Sequence, residues 1–267
     1  MLLPLMLTQC GARDNHNPTI SASGPQSCRM CDLRYKMFMG RDLSGSDFSG
    51  AYLFNANFAD AKLQKTLFKS ANLTLADLSH ADLSGAKLMR ADLTKAQAYK
   101  ANLQGADFSF AELRQAQFEF SDLSNSSFIA ATMIGVNLTK VNAQNANFES
   151  ALMDDADLRG ANLQGALFED TDLFGADLKG ANLSGANLTN ADLRHADLTG
   201  ANLSHANLIG ANLSGAKLKG ADLSDADIEF TNFYMADLLN AKLNHSILEQ
   251  TNFCRARMPD GSHGECD

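Results

Sequence analysis

The sequence ANLSG at residues 181–185 returns as ANLSH at 201–205 and as ADLSD at 221–225. Outward from these segments, every fifth residue from Leu33 to Met258 is large and apolar, except Ala98 and Ala143. The series has (258 − 33)/5 + 1 = 46 positions and no insertion shifts its register. A period of five fits neither a helix nor an alternating strand, so it indicates a repeat architecture.

Each five-residue unit combines two apolar positions with three polar ones. The apolar positions are a small residue and, two places later, the central Leu or Phe. We expect these two to face inward and the other three to face solvent. The last position is rich in Gly and Asn, which tolerate the positive φ that many tight turns need. The unit therefore predicts a short extended piece followed by a corner.

Sorting the central residues by a period of 20 predicts how many units form one coil. One column collects most of the aromatic centres: Phe48, Phe68, Phe108, Phe128, Phe148 and Phe168. The column that begins with Leu43 contains no aromatic residue. This segregation predicts that residues 20 apart stack, with four sides per coil. At a strand spacing of about 4.8 Å, 46 units make about 11.5 coils and a rod of about 55 Å.

The four sides are numbered here by their first central residues. Side 1 contains Leu33, side 2 Phe38, side 3 Leu43 and side 4 Phe48, and each side recurs every 20 residues.

Over residues 31–258 the repeat resembles the pentapeptide-repeat family. The resemblance implies an all-β protein, a right-handed quadrilateral β-helix of about 11–12 coils. Residues 28–258 are assigned to this helix, residues 1–27 to a signal-like segment and polar tether, and residues 259–267 to a C-terminal cap or tail. The resemblance leaves activity open, because members of one fold can serve different roles.

Composition and motifs argue against several classes of function. The net charge of −9 disfavours direct nucleic-acid binding, which needs clustered Lys and Arg. No stretch of about 20 apolar residues predicts a membrane span. The histidines within the repeats all take the outward corner position: His80, His195, His205 and His245. We predict no enzyme, no catalytic residue, no cofactor and no metal site.

The N-terminal segment resembles the end of a bacterial lipoprotein signal. Residues 1–9 are mostly apolar and lead to Cys10, and a polar stretch rich in Asn, Ser and Pro follows. Cys10 is therefore the candidate for lipidation, and the expected location is the periplasm or a membrane surface. Gln9 stands where a small residue is usual, and no basic residue precedes it. A cytoplasmic protein with a frayed N-terminus is the alternative.

Four further cysteines lie near the two ends of the repeat. Cys28 and Cys31 come just before the first coil of the Leu33 series, whereas Cys254 and Cys266 bracket the last coil. One zinc ion held by all four is excluded, because the ends are roughly 50 Å apart. Two local disulfides, Cys28–Cys31 and Cys254–Cys266, would fasten the ends of the solenoid. Four free thiols in a reducing cytosol are the alternative.

Two outward surfaces are candidates for protein contacts. On side 4, from residue 146 onward, the sequence predicts an outward acidic stripe without Lys or Arg: Glu149, Glu169, Asp170, Asp227, Glu229 and Glu249. Side 1 has an outward column of large apolar residues, with Arg114 and Arg194 between them: Phe54, Ile134, Phe174 and Tyr234. Outward aromatic residues indicate contact surfaces. Scattered single apolar residues, which are common on any surface, are the alternative.

Two other columns predict interactions between coils. On side 2, Asp157, Asp177 and Asp197 stack, and Arg159 and Lys179 lie close enough to offset their repulsion. A cation site among these aspartates is the alternative. On side 3 the asparagines predict an amide ladder: Asn142, Asn162, Asn182 and Asn202.

Two functional hypotheses follow. The first is a non-enzymatic rod that binds an unidentified protein partner, exported and lipid-anchored through Cys10. The second comes from the resemblance, since some pentapeptide-repeat proteins mimic DNA and bind type II topoisomerases (gyrase) in the cytoplasm. That role implies a continuous acidic surface and a C-terminal helix for dimerisation. Here acids and bases mix on three sides, and residues 259–267 are too short for such a helix.

Overall fold

The computed structural model describes residues 24–266, which form one continuous β-helix. Parallel bridges join residues 20 apart, from Ser27–Asp47 at one end to Asp237–Arg257 at the other. Each bridge is a single residue wide, and this part of the chain contains no helix and no longer strand. The ladder spans (257 − 27)/20 = 11.5 turns. The quadrilateral coil of four units and the number of coils are thereby confirmed.

The core is filled by the two inward residues of each unit, as the repeat predicts. The small residue and the central residue are buried in nearly every unit, whereas the three remaining positions are mostly exposed or half-buried; Ala59, Ser109 and Ser124 are buried exceptions. The Phe column stacks along side 4: the ring of Phe128 lies 4.8 Å from that of Phe108 and 5.1 Å from that of Phe148. These separations equal the spacing of paired strands, so the rings stack coil upon coil.

The turns at the corners of the coil are formed by the polar residues of each unit. A turn hydrogen bond closes each one, as when Ala181 N donates to the Leu178 carbonyl at 3.0 Å. The last residue of every unit from Met30 to Arg255 has a positive φ, even at Leu75 (φ 60°). The Asp or Asn of the second position supports the turn, because its Oδ1 accepts the N–H two residues later; Ser184 N donates in this way to Asn182 at 3.2 Å.

The N-terminal end differs in one respect from the expectation. Cys28 and Cys31 do not precede the first coil but belong to its register, since pairing already begins at Ser27. Cys28 takes a central position and Cys31 a small position, and both are buried. The series counted from Leu33 missed this unit because Cys28 was not counted among the large apolar centres.

The C-terminal end departs further from the repeat. The chain reverses after Met258, and residues 259–266 pair back on the last coil through an antiparallel bridge between Arg257 and His263. Arg255 N donates to the Gly264 carbonyl, and Gly264 N to the Ala256 carbonyl. The predicted tail is therefore a hairpin. Leu248, a central residue, is 47% exposed because no further coil covers it.

Along residues 24–266 no helix has the length and apolar character needed to traverse a bilayer.

Candidate protein-binding surfaces

The acidic stripe of side 4 is present on the surface but is divided into two clusters. Glu149, Glu169 and Asp170 lie on two successive coils, whereas Asp227, Glu229 and Glu249 lie near the C-terminal end. The two coils between them carry only neutral residues on this side. Their separation from Glu169 to Glu229 is three coils, or about 14 Å.

The carboxylates of this stripe differ from the side 2 aspartates Asp157, Asp177 and Asp197 in having no counter-charge at ion-pair distance. Within residues 24–266, no ion pair involves any of the six: Glu149, Glu169, Asp170, Asp227, Glu229 and Glu249. Asp170 instead accepts a hydrogen bond from the Asn190 amide at 3.2 Å. The stripe thus presents uncompensated negative charge to solvent.

The aspartates of side 2 are compensated, as the sequence predicts. Arg159 Nε donates to Asp157 at 2.8 Å and lies 3.8 Å from Asp177. Lys179 Nζ bridges the next two coils, at 3.2 Å from Asp177 and 3.1 Å from Asp197. The hydrogen bond from Arg159 lowers the pKa of Asp157, against an opposing effect of burial. This side is an ion-pair network whose charges largely cancel.

The pKa of Asp197 shows the balance of forces in that network. Partial burial raises the pKa, but hydrogen bonds from Thr199 and Lys179 outweigh it and leave a net lowering. Asp197 also has Lys217 at 3.6 Å on the following coil. Asp157 and Asp197 thus both have lowered pKa values beside cationic side chains.

The apolar column of side 1 does not form a continuous patch. Phe54, Ile134 and Tyr234 are half-buried, and Phe174 is exposed. Neighbouring coils already cover the aromatic faces. The Arg194 guanidinium lies 5.4 Å from the Phe174 ring centre, and the Phe54 ring packs edge-on against Tyr35. The four residues are spread along nine coil spacings, and the three aromatic ones each have a local partner, so the column is not one continuous docking surface.

An aromatic and basic ridge at the corner between sides 2 and 3 was missed by sequence analysis. The Tyr99 ring lies 5.7 Å from His80 and 5.6 Å from Phe120, both edge-on. Lys100 Nζ lies 5.2 Å from the Tyr99 ring centre, and Lys140 Nζ lies 5.6 Å from that of Phe120. These pairs are 19 or 21 residues apart where rings meet, so sorting by columns of 20 hides them. A search for diagonal neighbours would have found them.

A second group that the sequence analysis missed surrounds Asp154 on side 1. Burial raises the pKa of Asp154, and the negative charges of Asp172 and Asp155 add to this effect. Arg194 forms its ion pair with Asp192, whose Oδ1 lies 2.8 Å from Arg194 Nε, and not with Asp154. No group of three His, Cys, Asp or Glu side chains in the described part of the chain is arranged to hold a metal ion.

The asparagines of side 3 form the predicted ladder. Asn162 Nδ2 donates to the Asn142 side-chain oxygen, Asn182 to Asn162, and Asn202 to Asn182, each at 3.2 Å. Asn142 donates in turn to Asp122 at 3.1 Å. The amides of Asn162, Asn182 and Asn202 also accept from the N–H groups of their own turns, so the column stabilises the rod and leaves few donors for a ligand.

Both predicted cysteine pairs have their sulfurs at bonding distance. The Cα atoms are 5.4 Å apart for Cys28 and Cys31 and 4.5 Å apart for Cys254 and Cys266. Both separations lie within the range of disulfides. Cys10, the candidate for lipidation, lies outside the described residues.

The comparisons with known proteins agree with this geometry. A family model described as "Pentapeptide repeats" matches residues 40–69, 71–109, 111–149, 151–190, 186–225 and 221–258. A search of curated protein sequences gave no match.

Several solved structures are similar to the chain. HetL, a pentapeptide repeat protein involved in heterocyst differentiation regulation in the cyanobacterium Nostoc sp. strain PCC 7120, is 32% identical; the match covers 87% of this chain and 94% of HetL, with a TM-score of 0.53. A pentapeptide repeat protein of the Arabidopsis thaliana thylakoid lumen is 36% identical over 39% of this chain and 66% of its own, with a TM-score of 0.31. QnrB1, a plasmid-mediated fluoroquinolone resistance protein, is 22% identical over 71% of this chain and 87% of its own, with a TM-score of 0.44.

Proposed function

The chain belongs to the pentapeptide-repeat family, and we propose that it acts as a rod that binds a partner protein rather than as an enzyme. The observation that carries this proposal is the contrast between sides 4 and 2. Six carboxylates on side 4 lack an ion-pair partner in residues 24–266, whereas the aspartates of side 2 are bridged by Arg159 and Lys179. A surface of uncompensated charge attracts a partner of opposite sign.

The chemistry of this surface specifies a basic partner. Its two acidic clusters lie about 14 Å apart across a neutral stretch. A partner with two groups of Lys or Arg at that spacing would bind both acidic clusters. A partner with a single basic group would bind one of the two clusters. Because most of these carboxylates are exposed, binding should be fast and should weaken with salt.

A matched pair of variants tests the proposal. The stripe variant carries Glu149→Gln, Glu169→Gln, Glu229→Gln and Glu249→Gln. The control variant removes the same charge elsewhere, through Asp60→Asn, Asp155→Asn, Asp225→Asn and Glu265→Gln, all at exposed positions. Proteins cross-linked to each variant in the native cell are compared by mass spectrometry. The expected result is a basic partner that the control retains and the stripe variant loses; retention by both variants would refute the proposal.

We further propose that the protein is exported and lipid-anchored through Cys10. The support is the apolar sequence before Cys10 and the approach of both cysteine pairs to bonding distance. Intact mass of the native protein tests this directly. Acylation of Cys10 with loss of residues 1–9, and a deficit of about 2 Da for each disulfide, are expected. An unmodified chain with free thiols would refute export.

A cytoplasmic DNA mimic that binds gyrase is the second candidate. The uncompensated carboxylates of side 4 favour it, whereas the neutral gap and the C-terminal hairpin in place of a helix weigh against it. A supercoiling assay decides: inhibition or quinolone protection of gyrase by the protein, lost in the stripe variant, would establish this role over the first.

A further inference from the structure

The first coil carries a concentration of exposed apolar side chains. Met30, Tyr35 and Met37 are 73%, 63% and 61% exposed, more than any other large apolar residue in the described chain. Met39 and Tyr52 are also more than half exposed. These five residues are called the N-terminal collar. They surround three sides of the first coils, although polar residues usually occupy such outward positions.

The collar lies among basic side chains. Residues 28–52, which include the whole collar, contain Arg29, Arg34, Lys36 and Arg41 against Asp32, Asp42 and Asp47, a net charge of 4 − 3 = +1 in a chain whose total is −9; Arg29 lies 3.6 Å from Asp47. Asp32 is engaged locally by Arg34, whose NH2 lies 2.7 Å from its carboxylate. At the collar, the largest apolar exposure of the described residues thus coincides with a net positive charge.

This combination fits the headgroup region of a bilayer. Tyr lies preferentially at membrane interfaces, and Arg and Lys extend their charged ends toward headgroups while their stems cover apolar surface. Basic residues next to an apolar surface are attracted to anionic lipids. A second copy of the chain is a poorer occupant, because two positively charged collars would repel each other. The position also matches, since the collar is at the end of the rod that leads toward Cys10.

We propose that the N-terminal collar rests on an anionic membrane surface, so that the rod stands away from the bilayer and its acidic stripe remains free. This inference builds on the proposed lipid anchor but does not require it. Without the lipid, the collar still contacts the bilayer but more weakly, because the acyl chain and the interfacial surface each contribute to the binding free energy.

The test uses the full chain with Cys10→Ser, which removes the acylation site. On this background the collar variant carries Tyr35→Gln, Met37→Gln and Met39→Gln. The matched control carries Phe110→Gln, Phe230→Gln and Met235→Gln, which are similarly exposed but distant from the collar. Binding to vesicles of phosphatidylglycerol and phosphatidylethanolamine is measured by co-sedimentation. We expect the collar variant to bind at least about tenfold more weakly than the control.

A spectroscopic reading removes ambiguity about the contact. The chain has no Trp, so Met37→Trp introduces a single reporter on the collar, and Met235→Trp a reporter at the other end. The fluorescence of the first should shift to the blue when vesicles are added, and that of the second should not. Equal binding by the collar and control variants, or an unchanged emission at position 37, would refute the inference.

The outcomes also separate the inference from the proposed lipid anchor. If intact mass shows no acylation but the collar still binds vesicles, the anchor is wrong and the inference stands. If acylation is found but the collar variant binds as well as the control, the anchor stands and the inference fails. A blue shift that depends on protein concentration and not on vesicles would assign the collar to a second copy instead.

Discussion

The two ends of the rod are fastened in different ways. At the N-terminal end, Cys28 and Cys31 lie inside the register of the coil and are buried with Leu33. At the C-terminal end, the sulfurs of Cys254 and the exposed Cys266 lie at bonding distance across 12 residues, between the last coil and the hairpin. One cysteine pair is part of the core, whereas the other lies between the last coil and a separate cover. A solenoid end can therefore be closed either by continuing the repeat or by reversing the chain.

The largest expected effect contrasts one central leucine at each end. Leu33 is fully buried, so Leu33→Ala should lower the free energy of unfolding by about 2–5 kcal/mol. Leu248 is half exposed, so Leu248→Ala should cost less than about 1 kcal/mol. Urea unfolding followed by circular dichroism measures both. Equal losses would mean that both ends are equally covered.

The C-terminal cover depends on its cross-link. Removing it with Cys254→Ser and Cys266→Ser should destabilise the hairpin by roughly 3 kcal/mol, from the loop that the bond closes. Hydrogen exchange of the Arg255 and Gly264 amides, which bond across the hairpin, should then accelerate. Cys28→Ser with Cys31→Ser serves as the control and should leave these two amides unchanged. Fast exchange in both variants would contradict the separation of the two ends.

Reduction should open the two cross-links in a fixed order. Cys266 is exposed, whereas Cys28 and Cys31 are reached only when the first coil opens. We expect the C-terminal pair to be reduced and alkylated at least about tenfold faster, because exposure governs access to the sulfur. Timed alkylation with peptide mass spectrometry measures the order. Simultaneous labelling would show that the N-terminal coil opens as readily as the hairpin.

The smallest effect concerns a salt bridge that joins the last coil to the one before it. A hydrogen bond from Lys242 lowers the pKa of Asp222 to about 2 from an ordinary 3.8. Because the folded pKa lies below the unfolded one, this stabilisation is present above about pH 4 and is lost as pH falls toward 2. Lys242→Gln should raise the pKa of Asp222 and cost less than about 1 kcal/mol at neutral pH, since both side chains are partly exposed.

Carboxyl NMR titration measures this pKa. Lys179→Gln, which alters the side 2 network, is the control and should leave Asp222 unchanged. If Lys242→Gln has no effect on Asp222, the last coil is not held against its neighbour in the way described.

The interior of the rod could be predicted from sequence because one rule governs it. The five-residue repeat alone predicts that Leu183 and Phe128 are buried. The period of 20 predicts that the ring of Phe128 stacks on that of Phe108. The same rule predicted the bridging of Asp177 by Arg159 and Lys179, since Arg159 is one coil earlier on the same side and Lys179 belongs to the same unit as Asp177.

What could not be predicted lies where the rule stops or where contacts run diagonally. Leu248 fits the repeat pattern, yet it is exposed because burial depends on a following coil and none of the described residues forms one over it. The reversal after Met258 follows from backbone pairing with residues 255–258, for which a single sequence gives no register. Tyr99 and Phe120 meet 21 residues apart, because large side chains at a corner lean toward the adjacent unit.

The asparagine ladder of side 3 contributes a net dipole along the axis of the rod. Every amide from Asn202 back to Asn142 donates toward the N-terminal end, so their dipoles align head to tail over four coils. The donor end of this column meets the carboxylate of Asp122, as the positive end of a helix meets an acidic cap. The backbone hydrogen bonds between coils also run along the axis but point both ways, since Leu183 N donates to the next coil and Asn182 N to the preceding one, whereas this side-chain column points one way only.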